Sequence, residues 1–420
     1  MLRFLRWCVV LIVVCRAASV RAADFFFKDG DVVVMIGDSI TEQHLYSNYV
    51  EMWTITRFPN WKLTFRNVGI GGDRSIGGNG RFTRDVLLHK PTAMTVDFGM
   101  NDAGSGDAGF KTFIDGLQGM ANQARAANIR VAWATPQPLD NAEQGPTALT
   151  GYNLMLEKYS AGVKDIAAKS SGLFVDQFHP YLAVLDRARG KSPKYDRITA
   201  GDAVHPGPPG QALMAASILK GLNFPSFVSS VEIDAGGGKV VSMKNCAVEN
   251  VVKKDGGVSF SRLDAALPFF PAEAVSILPH EQILDELNDY RLKVTGLPPG
   301  QYEVRVGDKK VAELAAELLA GGLNIAGGVL STGPIAEQAK AVKAAVEAKN
   351  RFHHDMIFRG VVLSNVSIPE WLGLDLSAQA IETKRQAAIT ERLAKLPALD
   401  AEVAKTLVMK PNTFDIVPVK

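Results

Sequence analysis

Val32-Val33-Val34-Met35-Ile36-Gly37-Asp38-Ser39-Ile40-Thr41 decides the fold. Five apolar, mostly β-branched residues in a row, with no polar alternation, read as a strand buried on both faces, the habit of a parallel sheet. The strand stops at a glycine followed by small polar residues that can open a helix. Similar units follow. Lys62–Val68, Thr92–Phe98, Ile129–Ala134 and Leu173–Asp176 read as four more strands. Between them, Phe110–Ala127 carries Phe113, Leu117, Met120 and Ala124 at helical spacing. Gly151–Ser170 repeats the pattern with Leu154, Leu156, Tyr159, Val163 and Ile166. Such alternation predicts an α/β fold with a doubly wound parallel sheet. Sheets of this kind bind their ligands just beyond the carboxyl ends of the strands.

Past Phe224 the pattern changes. Val228–Ile233, Lys239–Ser242, Ala247–Val252 and Val258–Leu263 read as short strands, as do Tyr290–Thr295, Gln301–Val306 and Lys309–Leu314. Turn residues at 297–300 and 307–308 separate the last three, so a small antiparallel sheet or sandwich is expected. Helices return over Pro334–Arg351 and Ser377–Leu396, with a less regular stretch from Asn350 to Pro369. The reading divides the chain into a leader (1–22), an α/β domain (23–224), a β-rich appendage (225–315) and a helical tail packed on the α/β domain (316–420).

The first two dozen residues have their own character. Arg3 and Arg6 precede a nine-residue apolar run, Trp7–Cys15, and Val20 and Ala22 stand at the −3 and −1 positions of a cleavage site. This is the pattern of a secretory signal peptide, and the run is about half the length a membrane span needs. Lipoprotein cleavage before Cys15 is disfavoured by the bulk of Val14. Loss of 1–22 removes four Arg and no acid. The formal charge of +2, from 46 basic and 44 acidic residues, then becomes −2, from 42 and 44. A near-neutral chain lacks the basic excess that nucleic-acid binding uses. Only Cys246 of the three cysteines lies beyond the leader, so no internal disulfide can form there, and Cys246 reads as a small buried hydrophobe. The export signal with so little cysteine fits a bacterial envelope, periplasmic or extracellular.

Four short blocks carry polar chemistry where the sheet should end. In Gly37-Asp38-Ser39-Ile40-Thr41, the turn can present the Ser39 hydroxyl above the sheet; the same residues could simply cap a helix. In Asn67-Val68-Gly69-Ile70-Gly71-Gly72-Asp73, glycines let backbone N–H groups approach a ligand. The spacing is not that of a dinucleotide loop, and no Walker lysine follows. Gly99-Met100-Asn101-Asp102 can aim the Asn101 amide at an oxyanion, though alone it is a good turn sequence. In Gly201-Asp202-Ala203-Val204-His205-Pro206, a carboxylate three residues before a histidine can hold the tautomer that leaves the other ring nitrogen free as a base. Capping of the following helix is the simpler role for Asp202. His44, His89, His179, His280, His353 and His354 have surface or packing explanations. The adjacent pair His353-His354 lacks the spacing of a zinc site, and no metal or organic cofactor is implied.

Together the four blocks, in this order and each at a strand's end, resemble the SGNH hydrolases, also called GDSL-type esterases. The resemblance covers roughly Asp31–Leu222 and implies a flavodoxin-like α/β fold. It implies Ser39 as nucleophile, Asp202 and His205 as the other triad members, and Ser39, Gly72 and Asn101 as the oxyanion hole. Ile40 stands where the name-giving motif has leucine, a conservative apolar change. The stretches Tyr46–Phe58 and Gly69–Phe82 look like members grouped with carbohydrate esterases. The expectation is therefore an exported serine esterase acting on a small ester or an acetylated polysaccharide, without nucleic acid and without a stable membrane span. A lysophospholipase or other lipid acylhydrolase is the runner-up. A non-catalytic glycan-binding protein is the reading from another class, and five intact positions argue against it.

Overall fold

A computed structural model of the 420-residue chain describes residues 24–142, 144–191, 194–364, 371 and 377–419. The leader expected over 1–22 lies outside the described residues. Five strands, β1 (Val32–Gly37), β2 (Thr64–Asn67), β3 (Ala93–Asp97), β4 (Arg130–Ala134) and β5 (Leu173–Val175), form one sheet in the order β2-β1-β3-β4-β5. Every pairing in it is parallel. β1 is hydrogen-bonded on both edges, and Val33, Val34, Met35 and Ile36 are at most 1% exposed. That double burial is why the strand is apolar throughout. The strand order reverses between β1 and β3, and this flavodoxin-like switch point opens a crevice at their carboxyl ends.

The helix Gly106–Ala126 buries Phe113, Leu117, Met120 and Ala124, the stripe read from sequence. The helix Tyr152–Ser170 buries Leu156, Tyr159, Val163 and Ile166, but Leu154 is 54% exposed. Two residues before Leu156 is about 200° around the helix, so Leu154 points away from the stripe. The helix Pro208–Gly221 closes the α/β region.

Among the described residues nine further strands follow: β6 (Phe227–Asp234), β7 (Lys239–Lys244), β8 (Cys246–Lys254), β9 (Gly257–Asp264), β10 (Asp289–Thr295), β11 (Gln301–Val306), β12 (Lys309–Ala315), β13 (Leu323–Asn324) and β14 (Asn412–Pro418). One sheet has the order β13-β10-β6-β7 and the other β12-β11-β14-β9-β8. The first is mixed rather than antiparallel, because β10 pairs with β6 in parallel. The long passage through β7, β8 and β9 gives the chain room to return in the same direction. The second sheet is antiparallel throughout, and its central strand, β14, comes from the stretch read as helical tail. Phe414 and Ile416 of β14 are fully buried. Cys246 is half-buried, not buried, with its thiol against the Ser230 carbonyl at 3.3 Å.

Helices Pro334–Phe352 and Ala378–Leu393 lie close to their expected positions. Between them, His353–Val362 forms a wide-turn π-helix. The helix Leu45–Arg57, unrecognised in the sequence, is buried from Tyr46 onward on every side. Two of its polar side chains, Asn48 and Glu51, are matched by the tail. Lys349 Nζ donates to Glu51 Oε1, and Asn350 Nδ2 donates to Glu51 Oε2 and Asn48 Oδ1, each at 2.7 Å. Asp400 extends the network, 3.6 Å from Lys349 and 3.0 Å from Arg66. Among the described residues, no helix is long and apolar enough to cross a membrane.

Glu51 and Lys349 side chains are each 2% exposed, so removing one strands the other's charge in the interior. Lys349→Met is expected to lower stability by about 3–5 kcal/mol in denaturant unfolding, and adding Glu51→Leu to recover a large part of it. A single variant within about 1 kcal/mol of the parent contradicts this account.

Candidate active site

Three strand ends meet at the crevice. After β1, Asp38 begins the short helix Ser39–Glu42, its carboxylate accepting the Ile40 N–H at 3.0 Å. Ser39 is thereby held at the turn. After β2, Asn67 ties the next loop to this helix: its amide donates to Thr41 O at 2.6 Å and Ser47 Oγ at 2.7 Å, and its Oδ1 accepts the Gly69 N–H at 2.9 Å. Gly72 follows with φ +74°, a left-handed conformation that favours glycine. After β3, Asn101 Nδ2 donates to Asp73 O at 2.9 Å and lies 3.3 Å from Asp38 Oδ2. One amide therefore joins all three loops.

The fourth block arrives from beyond β5. Gly201 bridges to Pro206, and the Asp202 N–H donates to His205 O at 3.2 Å, closing a tight turn. Gln137 Nε2 steadies it through Val204 O at 3.2 Å. His205 Nε2 lies 2.9 Å from Ser39 Oγ, and His205 Nδ1 lies 3.1 Å from Asp202 Oδ2. Asp202 Oδ1 accepts the N–H groups of Val204 at 2.8 Å and His205 at 2.7 Å. Asp202 does not cap the following helix, whose N-cap is Gly207. The His205 N–H above all holds the Asp202 carboxyl below the usual carboxylate range, with the imidazole and Val204 N–H adding to it. Exposed to water and so bonded, it stays ionised.

Ser39, His205 and Asp202 thus form one hydrogen-bonded line, with Gly72 and Asn101 on the neighbouring loops. Asp176 and His179 share the D-x-x-H spacing and are bonded at 2.7 Å, a pair the sequence reading passed over. Ser39 is bonded by His205 and not by His179. His89 and His353 face each other at 3.3 Å, and burial pushes His89 down to about 3 and His353 well below the usual imidazole value. These remain neutral packing groups.

Arg81 was not legible as part of the site. Its guanidinium donates to Asp73 Oδ2 at 2.7 Å, Asp85 Oδ2 at 3.0 Å, Val68 O at 2.6 Å and Gly37 O at 3.2 Å. It clamps the ends of β1 and β2 together from below. Its signal in the sequence is slight: an arginine closing a glycine-rich run, Gly77-Gly78-Asn79-Gly80.

Residues 35–213 match the GDSL-like Lipase/Acylhydrolase family. The chain carries a GDSL-like acylhydrolase domain and is an ester-bond hydrolase. An acetylxylan esterase of Geobacillus stearothermophilus is 25% identical over 219 residues, spanning 46% of this chain and 95% of its own. Among solved structures, a gut microbial diltiazem-metabolizing enzyme aligns over 94% of this chain and 98% of its own, with TM-score 0.77 and 24% identity. That likeness extends the fold agreement through the β-rich and helical regions.

Asp38, next to Ser39, is 3% exposed, and burial above all pushes its carboxyl up to about 7; nearby Asp102 and Asp73 add to this, while the Ile40 N–H and His205 oppose it. Between about pH 4 and 7 the folded chain keeps this proton and the unfolded chain has lost it, so stability falls as pH rises. Relative to Asp38→Asn, the parent should lose on the order of 1.4 kcal/mol per pH unit across that window and level off above it. Urea midpoints of both proteins at a series of pH values check this; parallel curves would refute it.

Proposed function

We propose that this protein is an exported serine esterase that removes acetyl groups from carbohydrate. The hydrogen-bonded line from Ser39 Oγ through the His205 ring to Asp202 carries the reading. Ser39 Oγ attacks the ester carbonyl carbon while His205 Nε2 takes its proton. Asp202 keeps the ring oriented and stabilises the imidazolium. The carbonyl oxygen becomes an oxyanion, held by the N–H groups of Ser39 and Gly72 and by the Asn101 amide. One Asn101 hydrogen is engaged by Asp73 O, and the other, only loosely held by Asp38, is available for this task. The tetrahedral intermediate collapses with cleavage of the ester C–O bond, and His205 returns the proton to the leaving alkoxide. Water then attacks the acyl-Ser39 carbonyl, giving up a proton to His205, and the carboxylic acid leaves as Ser39 regains its hydrogen.

An acetylated carbohydrate substrate is supported by the acetylxylan esterase relative. Export is supported by the charge, apolar run and small residues of 1–22, and places the enzyme in the periplasm or outside a bacterial cell.

Ser39→Ala should lose ester hydrolysis by about 10⁴-fold or more while keeping its fold, and Asp202→Asn should lose about 10²-fold. Turnover of aryl acetate by Ser39→Ala equal to the parent's would end the mechanism. Substrate class is tested by acetate release from acetylated glycans beside an aryl ester series of rising chain length. A preference for acyl chains of about eight carbons or more would replace the carbohydrate ester with a lipid ester.

A further inference from the structure

The helical tail reaches the site through one carboxylate. Glu42 ends the short helix that begins at Ser39. Its Oε1 accepts Arg359 Nε at 2.6 Å and also Arg359 Nη2, with His354 Nε2 at 3.4 Å. Its Oε2 accepts the backbone N–H of Gly71 at 2.6 Å. Both tail residues lie on the π-helix His353–Val362, more than 300 positions along the chain. The Glu42 side chain is 17% exposed, so these bonds are partly shielded from water. Burial alone would raise its carboxyl, but Arg359, His354 and the Gly71 N–H together bring it below the usual carboxylate range.

Gly71 needs such a partner. A Cβ there would lie 3.1 Å from Glu42 Oε2 and 4.0 Å from Ser39 Cβ, so the loop passes close over the nucleophile. Gly71 and Gly72 are both exposed, and a Cβ on Gly72 would meet nothing within 4 Å. Two adjacent exposed glycines lose much conformational freedom on ordering, and the turn bond that spans them, from the Asp73 N–H to Ile70 O at 3.2 Å, leaves the Gly71 N–H itself to another partner. The loop is fixed on either side by Ile70 N–H to Gly37 O at 3.1 Å and by Asn101 to Asp73 O. Between these points the Glu42 carboxylate holds the Gly71 N–H, one peptide before the N–H of Gly72.

We propose that Arg359, seconded by His354, is a positioning residue for ester hydrolysis: through Glu42 it fixes the Gly71 peptide and so aims the Gly72 N–H at the developing oxyanion. This rests on the assignment of Ser39 and Gly72 above. Preorganised donors act on the transition state and not on substrate binding, so the effect belongs in kcat. The α/β domain then depends on the tail for a fully ordered site.

The test compares the full-length parent, Ser39→Ala, Arg359→Ala and Arg359→Lys on an aryl acetate. Each is also titrated with a phenylboronic acid, whose tetrahedral Ser39 adduct places an oxygen where the oxyanion forms. Arg359→Ala should lower kcat about 10-fold or more, leave KM within about two-fold, and weaken the boronic acid by a similar factor to kcat. Arg359→Lys, which keeps a cation for Glu42, should restore a large part of both. Glu42→Leu, which removes the acceptor for Gly71, should reproduce the Arg359→Ala loss. An inactive Ser39→Ala with unchanged kcat in Arg359→Ala overturns this inference alone. Parent-like turnover in Ser39→Ala overturns the reading beneath it. A loss in Arg359→Ala that appears in KM, or tracks a lowered unfolding midpoint that lysine does not restore, assigns Arg359 to packing and overturns the inference as well.

Discussion

The close approach of two strand ends governs everything built at the crevice. A Cβ on Gly37 would lie 2.1 Å from Thr41 Oγ1 and 2.6 Å from Asp97 O. One on Gly69 would lie 2.5 Å from the Glu42 backbone N. These are backbone or buried side-chain collisions, which a small shift cannot relieve. Because both positions are glycine, the turn after β1 can fold back against β3 while the loop after β2 lies on the Ser39 helix. Ser39, Gly72 and Asn101 then converge from three separate strands. The parallel sheet supplies the direction of each strand, but this contact sets the spacing.

Burial then imposes a second constraint, which acts on charge. Asp38, Asp97 and Asp102 gather beneath the crevice, and Asp97 is held far above the usual carboxylate range by complete burial, with Asp38 adding to it. Gln177 donates to Asp97 at 2.9 Å, and Ser75 satisfies Asp102 through its N–H and hydroxyl. Buried acids of this kind need donors before they can be tolerated. Much of the polar scaffolding around Ser39 serves that need.

β1 was readable because double burial leaves a continuous apolar run, and three of the polar blocks because they fall directly after β1, β2 and β3; the fourth, Gly201–Pro206, follows the helix Phe178–Gly190 instead of a strand. The helix Leu45–Arg57 was not readable. With Asn48, Glu51, Thr54 and Arg57 among its buried residues, it has no apolar stripe to read. The partners of Asn48 and Glu51, Lys349 and Asn350, lie some 300 residues later, where no local rule reaches. Glu42 was opaque for the same reason: only the fold brings Arg359 to it. Leu154 misled because apolar residues need not lie on the buried face. β14 carries the alternation of a half-buried strand in Phe414 and Ile416, but it is a single short strand following two helices, and its place at the centre of a sheet is a property of topology.

That place has a consequence for the order in which the molecule forms. β14 pairs with β9 on one edge and β11 on the other, spanning roughly 150 and 110 residues of chain. Until residues 412–418 are made, β8–β9 and β11–β12 are two separate hairpins, each with an open edge. Isolated hairpins are marginal in water, and open edges invite pairing with other chains. The α/β sheet can assemble from segments close in sequence while this second sheet waits for its keystone. Synthesis from the amino end therefore exposes two unsatisfied edges through the production of some hundred residues, and β14 seals both at once.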